Sequence, residues 1–180
     1  MGKNQSLDDV VVLDTNAIIN IAKKNDWEKA ITRLVSQYKI VIPTPALYEF
    51  ELFKHKSSDA EKELLGLISK AKRHDCMSFE MGRRAGQVPN GLYIVNPSHH
   101  EWQAATNRMS KHIELNGLQS SGIKKRHMDH IIYSTARNIF ATICTDNAKD
   151  FIDIAGIAEE IGWHDSAMTV KSLSDYLDNQ

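Results

Sequence analysis

Residues Val10-Val11-Val12-Leu13-Asp14-Thr15-Asn16 restrict the fold of this chain more than any other stretch. Four apolar residues, three of them β-branched, run straight into an acid with no opposite charge beside it. So short an apolar run reads as a strand buried on both faces. Strands of that kind belong to parallel sheets covered by helices. In open α/β sheets, ligands bind at the carboxyl ends of the strands, and Asp14 stands at such an end. A carboxylate there does little for stability, because burying a charge is costly. It is a candidate for chemistry.

Elsewhere the chain alternates in the same way. Lys39-Ile40-Val41-Ile42-Pro43 reads as a second strand. Thr44-Pro45 then opens a helix that carries Glu49. Ser58-Asp59-Ala60-Glu61 and Ser98-His99-His100-Glu101 are capping boxes. The first predicts a helix to about Arg73. The second predicts one ended by Asn116-Gly117. Leu92-Tyr93-Ile94-Val95 is a strand candidate inside an irregular stretch. Leu118–Ile123 reads as a loop, Met128–Asn138 as a helix and Ile139–Thr145 as a buried strand. Short helices follow near Ala148–Phe151, Ile157–Ile161 and Ser172–Leu177. Strands alternating with helices predict an α/β domain with a mostly parallel central sheet, helices on both faces, in one unit spanning 1–180.

With 180 residues the chain has enough length for a full core. It shows no apolar run long enough for a membrane span and no signal-like N-terminus, and it holds only Cys76 and Cys144. A reducing, cytoplasmic setting is the expectation. The net charge of −1 hides an asymmetry. Residues 1–143 carry 20 Lys/Arg against 15 Asp/Glu, and residues 144–180 carry 2 against 8. A basic body of this kind suits a polyanion.

Acids recur where strands end or the next helix begins: Asp14, Glu49, Asp129, Asp146 and Asp150. One edge of a parallel sheet gathers all of these positions. Two carboxylates about 4 Å apart repel by roughly 4 kcal/mol at an effective dielectric near 20. A proton or a divalent cation relieves that repulsion, and all-oxygen ligands select Mg²⁺ or Mn²⁺ over zinc. Taken singly, Asp129 is equally a helix N-terminal acid and Glu49 a surface residue. The eight histidines lack the Cys partners and paired spacing of a zinc site.

Four segments together resemble the PIN-domain family, closest to the VapC-like toxins of type II toxin–antitoxin modules. They are Val11-Val12-Leu13-Asp14-Thr15-Asn16, Pro43-Thr44-Pro45-Ala46-Leu47-Tyr48-Glu49, Met128-Asp129-His130-Ile131-Ile132-Tyr133-Ser134-Thr135-Ala136 and Ile143-Cys144-Thr145-Asp146-Asn147-Ala148-Lys149-Asp150-Phe151, framing residues 10–155. The resemblance implies a PIN-like fold and a Mg²⁺- or Mn²⁺-dependent endoribonuclease. Asp14, Glu49 and Asp129 would be metal ligands, with Asp150 as the fourth acid. Thr15, Asn16 and Thr145 would be polar support. A small antitoxin would occlude the cleft, and the toxin would form a homodimer. Two departures stand out. Asn147 occupies a position often acidic in the family, so the fourth acid is Asp146 or Asp150. The span between Glu49 and Asp129 is long, and residues 76–97 read as an insertion.

Two further readings keep the fold: a PIN nuclease of RNA maturation or decay, and an inactive PIN-like RNA-binding module. A phosphatase of the haloacid-dehalogenase type wants a second Asp two residues after the first, where this chain has Asn16. A response-regulator receiver is also weak, because Asp8-Asp9 precede the first strand instead of ending it. Candidate phosphate-binding runs are Lys124-Lys125-Arg126, Arg83-Arg84 and Lys54-His55-Lys56. Tyr93 and Trp163 are nominal stacking residues, and Trp102 reads as core. Reversing the charges across Lys124–Arg126 is expected to weaken RNA binding and to flatten its salt dependence by about 0.7 for each phosphate no longer neutralised. An unchanged salt slope in a binding titration would return that run to plain surface.

Overall fold

The computed structural model describes residues 9–52, 58–117, 120–162 and 168–178, with the side chains of 120–125 also outside the description. Lys54-His55-Lys56, the side chains of Lys124 and Lys125, and Trp163 therefore lie outside the described residues.

The first apolar run forms β1 (Val10–Leu13), buried throughout. Asp14 turns the chain directly into α1 (Thr15–Ala22). Then come α2 (Trp27–Gln37), β2 (Lys39–Pro43), α3 (Thr44–Leu52) and α4 (Asp59–Ser69). Next are β3 (Lys72–Asp75), α5 (Cys76–Arg84), β4 (Gly91–Asn96) and α6 (His99–Asn116). The chain continues through α7 (Ser120–Asn138), β5 (Thr142–Cys144), α8 (Ala148–Glu160), β6 (Val170–Lys171) and α9 (Leu173–Leu177).

All strand pairs are parallel, in the order β3-β4-β2-β1-β5-β6. After β1 the chain adds β2 beside it, β3 at the far edge and β4 between those two, and then crosses back to add β5 on the other side of β1. That reversal makes the β1/β5 boundary the topological switch point. The carboxyl ends of the two strands part there and leave room for a ligand. The register fixes which residues meet at this point: Leu13 lies beside Cys144, so Asp14 lies beside Thr145.

Both predicted capping boxes are present, Ser58 with Glu61 and Ser98 with Glu101. Gly117 ends α6 with φ 58°, the left-handed conformation that glycine adopts without strain. Other elements differ from the sequence reading. Lys72 and Arg73, expected in a helix, belong to β3. Among the described residues this edge strand pairs with β4 alone, so its charged side chains reach water and no apolar alternation marks it. α7 begins at Ser120, inside the expected loop, so Ser120-Ser121-Gly122 is helical despite its turn-forming residues. α8 is one helix where two were expected. Gly156 sits inside it without interrupting it. Residues 76–97, expected as an insertion, carry α5 and β4, and β4 lies inside the sheet between β2 and β3. Trp102, expected in the core, is 39% exposed and meets the His127 ring edge-on.

α7 carries Asp129, and α6 clasps it. Arg108 on α6 is fully buried. Its guanidinium donates to the His130 carbonyl at 2.9 Å and to the Ser134 hydroxyl, and it lies over the Tyr133 ring. Burial lowers its pKa to about 10. His112 Nδ1 and His130 Nε2 stand 3.0 Å apart, and burial pushes His130 down to about 3, so its ring stays neutral. Arg108→Ala strips charged donors from two α7 acceptors and is expected to cost about 3 kcal/mol of stability. A urea-denaturation difference within about 0.5 kcal/mol, the range of ordinary surface changes, would show the clasp to be dispensable.

Candidate active site

Asp14 connects two elements. Its backbone is extended, so its side chain caps α1, and Oδ1 accepts from the Ala17 amide at 2.7 Å. Oδ2 accepts from the Thr145 hydroxyl at 2.5 Å across the β1/β5 boundary. Thr145 Oγ1 in turn accepts from the Asn147 amide at 2.9 Å, which fixes the turn after β5. Asp14 is only 3% exposed. Burial is the main reason its pKa rises from 3.8 to about 6. The two hydrogen bonds pull it down, and the negative charges of Asp146 and Glu49 push it up.

Glu49 is half-buried on α3, and Thr15 at the start of α1 donates to its Oε2 at 2.6 Å. The same hydroxyl lies 3.4 Å from the Ala46 carbonyl, so Thr15 joins α1 to α3. Asp146 is exposed at the end of β5. Its Oδ2 accepts from Asn20 Nδ2 at 2.5 Å, and its Oδ1 lies 3.4 Å from the Leu173 amide. Asp14, Glu49 and Asp146 thus form one electrostatic group on the carboxyl edge of the sheet.

Asp129 is 8% exposed on α7, which packs against α3 and α8. Asp150, in the first turn of α8, forms an ion pair with Arg126 and accepts from the Asn147 side-chain amide. Its charge is therefore already met by a guanidinium. Asn16 lies half-buried in the first turn of α1. Arg83 and Arg84, expected to bind phosphate, are engaged elsewhere: both bind Glu80, and Arg83 is buried and also faces Asp9. The sequence reading passed over Asn20. Its signal was the polar series Asn16, Asn20, Lys23 and Lys24, at helical spacing along α1 and just past its end.

The donor set is all oxygen, and its negative charge accumulates around a buried carboxyl whose pKa is raised. That chemistry fits a hard divalent cation such as Mg²⁺ or Mn²⁺. Among the described residues no three His, Cys, Asp or Glu side chains are gathered closely enough to ligate one ion as they stand. A cation would have to draw the carboxylates inward.

The raised pKa carries a stability prediction. An acid whose folded-state pKa is raised stabilises the fold below its unfolded value and loses that contribution as pH rises through the folded value. In EDTA, Asp14 is expected to lower stability between pH 3.8 and about 6, by no more than about 3 kcal/mol. The difference in urea stability between the wild type and Asp14→Asn is the measurement. It should grow in favour of the variant up to about pH 6 and then level off. A difference that stays flat with pH would mean the carboxyl ionises as if in water.

No family model matches the chain, and no curated protein matches it. Solved structures do. A chain of VapBC2 from Rickettsia felis, in a crystal structure with a DNA fragment from their promoter, is 17% identical with a TM-score of 0.54. The match covers 91% of this chain and 98% of that one. A chain of DNA-bound VapBC from Salmonella typhimurium is 15% identical with a TM-score of 0.51, covering 91% and 97% respectively. A chain of VapBC-1 from nontypeable Haemophilus influenzae is 17% identical with a TM-score of 0.50, covering 92% and 98%. At this level of identity the likeness is one of fold: the chain carries a PIN-like fold, a parallel sheet flanked by helices.

Proposed function

We propose that this protein is a Mg²⁺- or Mn²⁺-dependent endoribonuclease of the toxin type, working at the carboxyl edge of β1 and β5. The observation that carries the reading is the Asp14 carboxyl at the switch point, whose pKa burial raises to about 6 with a smaller push from the negative charges of Asp146 and Glu49. Asp14, Glu49 and Asp129 would hold the cation. Asp146 is the better candidate for the fourth acid, since its charge is felt at Asp14 while Asp150 is paired with Arg126. When bound, the cation would activate water and steady a phosphoryl oxygen.

The chain's own residues have separate tasks. The Ala17 amide and the Thr145 hydroxyl fix both oxygens of Asp14. Thr15 orients Glu49, and Asn20 orients Asp146. Asp150 holds Arg126 one helical turn before Asp129, where a guanidinium can meet a substrate phosphate. The similar VapBC chains come from two-protein complexes, which supports a small antitoxin as partner here. A homodimer and a cytoplasmic location complete the proposal. Among the described residues no helix is long and apolar enough to cross a membrane.

A second reading has one observation in its favour. The carboxylates are not gathered for ligation, which suits a PIN-like RNA-binding module without cleavage. A mixed RNA pool incubated with the protein in Mg²⁺, Mn²⁺ or EDTA separates the two. Cleavage is expected with either metal, none in EDTA, and a loss of at least about 100-fold in Asp14→Asn, the scale of removing one electrostatic catalytic group. Asp146→Asn should lose more activity than Asp150→Asn. Full activity in Asp14→Asn would remove the assignment of the site, and binding without cleavage under every condition would favour the module.

A further inference from the structure

Beside the candidate site, a surface groove of about 290 Å³ runs between the C-terminal part of α1 and the start of α9. Asn20, Lys23, Lys24, Asp146, Leu173 and Ser174 line it. Asp146 belongs to both places. Its charge reaches Asp14, and its carboxylate takes the Asn20 amide inside the groove. The groove is thus a continuation of the site.

Its lining is net positive. Two lysines face one acid, and among the described residues neither Lys23 nor Lys24 makes an ion pair. Lys39, by contrast, is paired with Asp9, and Arg83 and Arg84 are paired with Glu80. Lys23 is exposed and Lys24 half-buried, and two ammonium groups on successive residues suit a row of phosphates, because Lys binds phosphate as a point charge. The groove lies open on the surface, so it suits a strand passing through more than an enclosed anion. Among the described residues no aromatic ring lines it, so that lining offers no stacking platform for a base.

We propose that this groove binds the backbone phosphates of single-stranded RNA immediately beside the scissile phosphate, with Lys23 and Lys24 holding the phosphates and without preference for base sequence. The proposal rests on the nuclease reading for the position of the scissile phosphate, but its binding test does not depend on cleavage. Asp146 lies between the two regions, so the strand leaves the acidic edge over a carboxylate that Asn20 already holds.

The test measures fluorescence anisotropy of a labelled single-stranded RNA 12-mer of mixed sequence on full-length protein in Mg²⁺. An Asp14→Asn background keeps the RNA intact. Lys23→Ala/Lys24→Ala is expected to weaken binding about tenfold or more near 0.1 M salt and to reduce the salt slope by about 1.4, or 0.7 for each phosphate no longer neutralised. Lys23→Arg/Lys24→Arg should restore both. Lys70→Ala/Lys72→Ala, at the far edge of the sheet, should change neither. In the otherwise wild-type protein, kcat/KM should fall in proportion to the affinity. A reduced slope without any cleavage by the wild type would keep the groove and discard the nuclease. An unchanged slope in the Lys23/Lys24 double variant, or an equal reduction in the Lys70/Lys72 control, would overturn the groove.

Discussion

The hydrogen bond from Thr145 to Asp14 joins the halves of this protein. β1 and β5 are separated by most of the chain and meet only because the sheet reverses direction between them. Asp14 ends one strand and Thr145 follows the other. Their contact at 2.5 Å closes the edge where the strands part. The Ala17 amide takes the second oxygen, so one carboxylate caps a helix and bridges two strands. Such a group would ordinarily be a poor choice for a buried position. Its pKa of about 6 records the cost, with burial and neighbouring acids outweighing both hydrogen bonds.

The surrounding structure arranges charge around that residue. Thr15 and Asn20, on one short helix, each hold the carboxylate of a different element, Glu49 of α3 and Asp146 beyond β5. α1 therefore orients acids that it does not itself carry. α7 brings Asp129 from another direction, held by the buried Arg108 of α6. Asp150 is balanced differently, by Arg126 and the Asn147 amide. Two acids four residues apart thus have separate roles: one adds negative charge to the centre and the other is neutralised beside it. Lys23 and Lys24, just past the end of α1, line a groove that Asp146 shares with the acids, so the helix that orients the acids also leads into a pair of cations beside them.

Much of this was legible in the residues. Buried strands announce themselves by short β-branched runs, and β1, β2 and β5 stand out in that way. Capping boxes placed the starts of α4 and α6, because their hydrogen bonds are local. β3 and the early start of α7 were not legible. Lys72-Arg73-His74-Asp75 is a strand only because β4 offers it an edge, and Ser120-Ser121-Gly122 is helical against its own turn preference. Trp102 was misplaced because helical spacing does not reveal which face of a helix meets the core.

The sequence by itself determined the class of fold, the acids and their order along the chain, since strand, cap and turn signals act over a few residues. Tertiary structure alone decided which of those acids share a field. Asp146 and Asp150 look alike in sequence, and only the sheet register and the reach of Arg126 tell them apart. It also decided that Arg83 is committed to Glu80 while Lys23 and Lys24 face a groove. The physical reason is range. Hydrogen bonds within a turn follow from neighbouring residues, whereas burial and the meeting of charges depend on the path of the whole chain.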